Sequence, residues 1–431
     1  MTLLVISPDY ASHLFPLATL ATAWQEAGHD VIVATGPATA PIVEQFGFAR
    51  VNLELGRGSN AGVMKAGEQQ RDEADSLAGF FAATREGMVP TLRYQASERL
   101  TDLMWQPVDR ARQTIDVVEQ VQPDAIIVDH LAFSARLGLQ TAGVAYGDVV
   151  LGHPSALPVG DEVYGFPPAW PAAFSPDAAE LASLRALCDE VSARFTTQWN
   201  AAVHELDARA SATDNAFASH GDLVLYNFVQ QLADGDGREL PPHRFLGSTR
   251  RDEPADAEVD AWLAGSDEAF VYVSFGSFLS VRGDVLARVA EALRRSGLRA
   301  AIATGATDAA ELGPIPDGWL VRAFLPQVRL LGAARAAVTH GGNNSVTEAI
   351  GQAVPLLVLP FSTDQFAGAA SIERTGLGIA LDPNAASVDD LAAALSALVS
   401  PAHPSRAMLA EIAAEQLAKS GPSIAFEALM L

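Results

Sequence analysis

The chain gathers its reactive side chains where apolar runs end. In the second half, FLPQ at 324–327, THGGNNS at 339–345, Glu348 and the Asp364–Gln365 pair all fall at strand ends or helix starts. Small residues let a backbone approach a ligand closely, and free amides at a helix start attract anions. His340 and Gly342 precede Asn344 and Ser345, so this helix start suits an anionic ligand. Asn343, Asn344 and Ser345 also serve as ordinary helix caps. A cap needs one such residue, however, and not a His, two glycines and a Glu three residues on. Gly276–Ser277, within SFGSF, makes a second small-residue loop after a strand, although a plain turn reads the same way. In the first half, His13 follows the opening strand in a loop. An imidazole titrates in the range that lets it take a proton from a hydroxyl as a bond forms. Taken alone, a single His is more often structural.

The elements that must hold these residues alternate. A strand Leu3–Ser7, a loop through Asp9 and His13, a helix from Pro16 to Ala27 and a strand Asp30–Ala34 make a β-loop-α-β unit. Pro near the start and Gly28 at the end punctuate the helix. A further strand, Ala125–Val128, ends in Asp129–His130. Alternation resumes with strands at Phe270–Ser274, Leu298–Thr304, Trp319–Ala323, Ala336–Thr339 and Pro355–Leu359. Helices are expected at Asp284–Ser296, Asn344–Gln352 and Gln365–Thr375. Such alternation predicts α/β architecture with parallel sheets. The polar stretch near 233–257 reads as a linker. The expected organisation is a domain over 1–235, a linker over 236–256 and a domain over 257–431, with the terminal helix free to return to the first. Gly56–Arg112 and Gly152–Pro176 fit the repeat poorly, and such insertions often wall a binding site.

At 431 residues the chain suits two domains, and its 49% apolar, 19% charged composition is globular. Lys plus Arg is 28 against 52 Asp plus Glu, a net charge of −24 that repels nucleic acid and anionic membranes. An anionic ligand therefore needs a local site. Cys188 is the single cysteine, so an intramolecular disulfide and a Cys-based metal cluster are excluded. The opening MTLLVISPDY reads as a strand and not as a signal peptide, and no apolar run approaches the roughly 20 residues of a membrane span. These features predict a cytoplasmic protein without membrane insertion. They leave its oligomeric state open.

The run FLPQVRLLGAARAAVTHGGNNSVTEAIGQAVPLLVLPFSTDQFAGA, from Phe324 to Ala369, resembles the donor-binding signature of the family 1 glycosyltransferases. These are GT-B enzymes, among them bacterial antibiotic and macrolide glycosyltransferases and plant secondary-product enzymes. SHLFPLATLATAWQEAGHDVIVAT, which holds His13, is similar to the family's opening. The Gln327-to-His340 spacing looks bacterial, while Asn344–Ser345 looks like the plant version. The resemblance implies two Rossmann-like, doubly wound domains facing across a cleft. By position, Phe324 would stack on the donor base in place of the usual Trp, and Gln327 would read the base edge. His340, Asn344 and Ser345 would meet the diphosphate, with the Gly276–Ser277 loop beside it. Glu348 would hold the ribose hydroxyls, and Asp364 with Gln365 the sugar.

The resemblance also implies that His13 is the general base and that Asp129 orients it. Ser12 stands where many bacterial relatives carry Gly. His130 has no matching role. The implied reaction is an inverting displacement that moves a hexose, UDP-glucose being the first-choice donor, to a hydroxyl of a small lipophilic acceptor. No Asp-x-Asp metal signature stands in the donor motif, so metal-independent transfer is expected, with no cofactor and the nucleotide sugar as co-substrate. A sugar-nucleotide epimerase and a non-catalytic sugar-nucleotide-binding helper are the alternatives. The first would lack an acceptor pocket, and the second would tolerate loss of His13. A nicotinamide dehydrogenase would want a Gly-x-Gly-x-x-Gly after the first strand, which is absent.

Overall fold

The computed structural model describes residues 1–58, 71–102, 104–249, 253–276 and 282–430. The chain forms two α/β domains, each built on a parallel sheet. The first sheet comprises β1 (Thr2–Ile6), β2 (Asp30–Thr35), β3 (Ala49–Asn52), β4 (Ala125–Asp129), β5 (Gly147–Val150), β6 (Leu223–Tyr226) and β7 (His243–Phe245). The second comprises β8 (Phe270–Ser274), β9 (Arg299–Ala303), β10 (Leu320–Arg322), β11 (Ala336–Thr339), β12 (Leu356–Val358) and β13 (Gly378–Ala380). Their orders are β3-β2-β1-β4-β5-β6-β7 and β10-β9-β8-β11-β12-β13. Central strands are covered by helices on both faces and so read as unbroken apolar runs: Leu3 to Ile6 and Val271 to Val273 are buried throughout. Val5 pairs with Val33 on one side and Ile127 on the other, which fixes the ends of β1 and β4 side by side.

Four expectations are revised. The first helix begins at Ala11, not Pro16, so His13 lies in its first turn and not in a loop. Tyr10 is the extended N-cap, and its carbonyl accepts from His13 N at 3.1 Å and Leu14 N at 2.9 Å. Pro16 is tolerated inside because it removes a single intrahelical bond, the one to the Ser12 carbonyl. Much of Gly56–Arg112 is regular: helices run over Arg71–Glu86, Met88–Asp102 and Pro107–Val121, while 59–70 and 103 lie outside the described residues. Met88, Leu92 and Ala96 form a buried stripe facing Leu184, Cys188 and Val191 of the long Ala178–Leu206 helix. Phe80 joins the apolar core of the second domain.

The expected linker 236–256 contains β7, which pairs with β6 and completes the first sheet before the chain crosses. The side chains expected to mark a linker there are polar, but an edge strand with one partner tolerates them. The fourth revision concerns Gln365 and is described with the site. The C-terminal helix Gly421–Met430 packs on the first domain, Phe426 lying edge-on to Trp24 at 5.2 Å between centroids. Among the described residues no helix is long and apolar enough to cross a membrane.

Candidate active site

Each sheet winds in both directions from its middle, and a crevice opens at the carboxyl ends of the two strands where the winding reverses. In the first sheet these are β1 and β4; in the second they are β8 and β11. The first pair delivers His13 and Asp129. His13 Nδ1 donates to Asp129 Oδ2 at 2.7 Å, while Asp129 Oδ1 accepts from the Leu131 amide at 2.8 Å. Asp129 is buried and His13 a quarter exposed. With Nδ1 protonated toward a carboxylate, the lone pair lies on Nε2. Burial pushes the His13 pKa down, but the Asp129 charge and hydrogen bond, with the field of Asp364, carry it above the ordinary 6.5.

Behind Asp129 lies a buried polar cluster that includes His130. His130 Nδ1 donates to Asp148 Oδ1 at 2.9 Å, and Arg136 Nε stands 3.3 Å from Asp148 Oδ2. Arg136 Nη1 donates to the His130 carbonyl at 2.7 Å, and Nη2 bonds the Ser219 carbonyl. Burial, reinforced by Arg136, holds His130 below its ordinary pKa. A neutral His130 therefore ties the Asp129–Leu131 turn to β5. The position left without a role in the sequence has a structural one.

On the donor side the helix Asn343–Gly351 starts from Gly342, an N-cap with no side-chain cap bond. No side-chain cap fills its first amides, as an anion site requires. His340 sits between glycines. A Cβ at Gly276 would stand 3.0 Å from its Cε1, and one at Gly342 would overlap its Nε2. Burial alone lowers His340 to about 4, so it is neutral near pH 7 and offers hydrogen bonds without a charge. Gln327 Nε2 donates to Glu348 Oε2 at 2.6 Å, and Ser345 Oγ donates to Gln327 Oε1 at 3.3 Å. The three residues expected at base, ribose and phosphate thus form one cluster. Phe324 is 61% exposed, leaving its ring face open. Ser277 lies outside the described residues.

Asp364 precedes the helix Gln365–Thr375 without a side-chain cap bond and points at the first domain: its Oδ2 accepts from the His153 amide at 2.7 Å. Gln365, expected on the sugar, is turned inward. Its Oε1 accepts from Phe361 N and Ser362 N at 3.0 and 3.1 Å, and its Nε2 donates to Ser362 Oγ at 3.1 Å. A buried amide completes the backbone bonds of a tight loop because nothing else reaches them.

Contacts across the cleft engage Asn343 and Asn344 and bring in Asn227, which the sequence did not single out. Asn343 Nδ2 donates to the Leu151 and Asn227 carbonyls at 3.0 and 2.5 Å. Asn344 Nδ2 donates to the Ser12 carbonyl at 3.3 Å, the acceptor that Pro16 leaves free, and its Oδ1 accepts from Asn227 Nδ2 at 3.4 Å. The Asn344 side chain therefore faces the first domain. Asn227 directly follows β6, so the strand-end rule that picked out Asp129 also marks it.

A family model described as UDP-glucoronosyl and UDP-glucosyl transferase matches residues 185–410. The chain is 24% identical to 4'-demethylrebeccamycin synthase of Lentzea aerocolonigenes, with 92% of this chain and 91% of that protein covered. It is also 24% identical to L-demethylnoviosyl transferase of Streptomyces niveus, with 100% of this chain and 97% of that protein covered. In fold it is similar to the glycosyltransferase VinC, solved in complex with DTDP. The TM-score is 0.66 at 19% identity, with 100% of this chain and 98% of that one covered.

Proposed function

Because the chain belongs to the UDP-glucoronosyl and UDP-glucosyl transferase family, and is a family 1 glycosyltransferase that moves a sugar from a nucleotide sugar, we propose that it is an inverting, metal-independent hexosyltransferase acting on a small lipophilic alcohol. The observation that carries this reading is the 2.7 Å bond from His13 Nδ1 to buried Asp129. It leaves Nε2 as the base for an acceptor hydroxyl, opposite the anion-binding helix start. As the acceptor oxygen forms its bond to the anomeric carbon, Nε2 takes the hydroxyl proton and Asp129 stabilises the imidazolium. The nucleotide diphosphate leaves from the opposite face, so configuration inverts. Its charge meets the amides of Asn343, Asn344 and Ser345 and a hydrogen bond from His340, dipoles that are in place before reaction.

Glu348 is assigned to the ribose hydroxyls, Gln327 to the base edge and Phe324 to stacking on the base. Asp364 receives the sugar hydroxyls, and UDP-glucose is the first-choice donor. The acceptor site is assigned to the side of Tyr164, a half-buried ring held in place by stacking at 4.0 Å on the fully buried Phe217. Tyr164 lies within the fields of both Asp129 and Asp364, which supports a place for the acceptor between base and sugar. The proposed domain division runs through the 236–256 stretch after β7.

The test pairs purified protein and UDP-glucose, UDP-galactose, UDP-GlcNAc or TDP-glucose with phenols and macrolides, read by mass spectrometry. A product heavier by one hexose is expected, with the anomeric configuration inverted and the rate kept in EDTA. Retention of configuration, or loss of rate to chelator, would overturn the corresponding part.

A further inference from the structure

The loop that presents Asp364 is strained and is held from the other domain. Thr363 has φ 50°, a left-handed conformation that is strained for a β-branched residue. Such a conformation persists where its surroundings over-determine it. Here its amide donates to Gln95 Oε1 at 3.1 Å, across 268 positions of sequence, from the Met88–Asp102 helix of the first domain. Its hydroxyl donates to Asp364 Oδ1 at 3.0 Å. The other carboxylate oxygen is held by the His153 amide at 2.7 Å. Beside it Gly152 approaches so closely that a Cβ there would overlap Asp364 Oδ2. Within its own domain Gln365 closes the loop, binding the amides of Phe361 and Ser362, while that of Thr363 goes to Gln95.

From these contacts we infer that Gln95 is a positioning residue for donor-sugar selectivity: it fixes the Thr363 backbone, and through it the orientation of the Asp364 carboxylate. The inference rests on the proposed contact between Asp364 and the donor sugar. Gln95 bonds the loop backbone and none of the residues assigned to the nucleotide. Its loss therefore affects the sugar and spares the nucleotide. Selectivity for a sugar bound by the second domain is on this account written partly into the first.

The experiment compares wild type with Gln95→Leu and Gln95→Glu. UDP affinity is measured by calorimetry, and KM and kcat with UDP-glucose, UDP-galactose and UDP-GlcNAc. Gln95→Leu removes the acceptor for the Thr363 amide, and losing one buried hydrogen bond corresponds to about a tenfold effect. Its KM for the preferred sugar should rise about tenfold and its ranking of the three sugars should flatten, with UDP affinity unchanged. Gln95→Glu keeps an acceptor oxygen and should restore both. Wild-type KM and ranking in Gln95→Leu would overturn the inference, as would a parallel loss of UDP affinity, since that marks general damage. A wild-type protein that binds UDP-sugars no better than UDP, with no preference among them, would overturn the sugar contact itself and this inference with it. A wild type that discriminates, with a Leu variant that discriminates equally, overturns the inference alone.

Discussion

Each domain exposes two strand ends at its switch point, and each places a histidine there. In the first, β1 and β4 supply His13 and Asp129; in the second, β8 and β11 supply Gly276 and His340. The partner decides the chemistry. A carboxylate 2.7 Å from His13 lifts its proton affinity above the ordinary value despite burial. Around His340 the corresponding neighbours are glycines, so burial acts unopposed and the pKa falls to about 4. One imidazole is tuned to hold a proton more tightly, and the other stays neutral. On the proposed assignments the same topological position serves as a base in one domain and as part of a phosphate cradle in the other.

The largest expected effect tests the first half of that contrast. His13→Ala should lower kcat by about 10²–10⁴, the usual range for a lost general base, with nucleotide affinity measured by calorimetry nearly unchanged. Equal activity would remove the base assignment. Asp129→Asn comes next and carries a pH signature. Wild-type kcat/KM should rise with pH through a limb above 6.5, because the base must be deprotonated and its pKa is raised. Replacing the carboxylate removes the main raising causes and leaves burial, which lowers, against the weaker field of Asp364. The limb should therefore move to lower pH as the maximal rate falls, and a stationary limb would mean that another group titrates.

Glu348→Ala probes the second half, where binding and not proton transfer is at stake. Losing hydrogen bonds to a charged group costs about 1.5–3 kcal/mol, so KM for the donor should rise roughly ten- to a hundredfold while kcat changes little. A fall in kcat at unchanged affinity would contradict the ribose role. The smallest effect is expected where the two halves touch. Pro16→Ala supplies the N–H that the Ser12 carbonyl lacks within its helix, competing with Asn344. One hydrogen bond is worth about 0.5–1.5 kcal/mol, so transfer should slow by about two- to tenfold while the melting temperature holds or rises. An unchanged rate would show that the Asn344 contact does not help bring the domains together.

Much of the fold was readable from local pattern. The apolar runs at Leu3, Ala125, Phe270 and Ala336 became β1, β4, β8 and β11, because central parallel strands are buried on both faces and need unbroken hydrophobicity. The glycine-rich run at 339–345 and His13 stood out because they end such strands. The Arg71–Glu86 and Met88–Asp102 helices were harder to see, since their apolar positions are interleaved with polar ones and bury against distant partners such as Leu184. The inward turn of Gln365 had no local signal either, as its bonding partners are backbone amides.

By itself the sequence determined the two parallel-sheet layers, their strand ends and the residue types placed there, because these follow from short-range periodicity and turn chemistry. Tertiary structure alone decided what those residues became. His13 and His340 start from one intrinsic proton affinity, and only the approach of Asp129 to the first, with glycines around the second, separates them. Likewise Gln95, Asn227, Asn343 and the His153 amide acquire roles only when surfaces distant in sequence meet. Electrostatic fields and hydrogen bonds depend on distance in space, and sequence spacing does not record it.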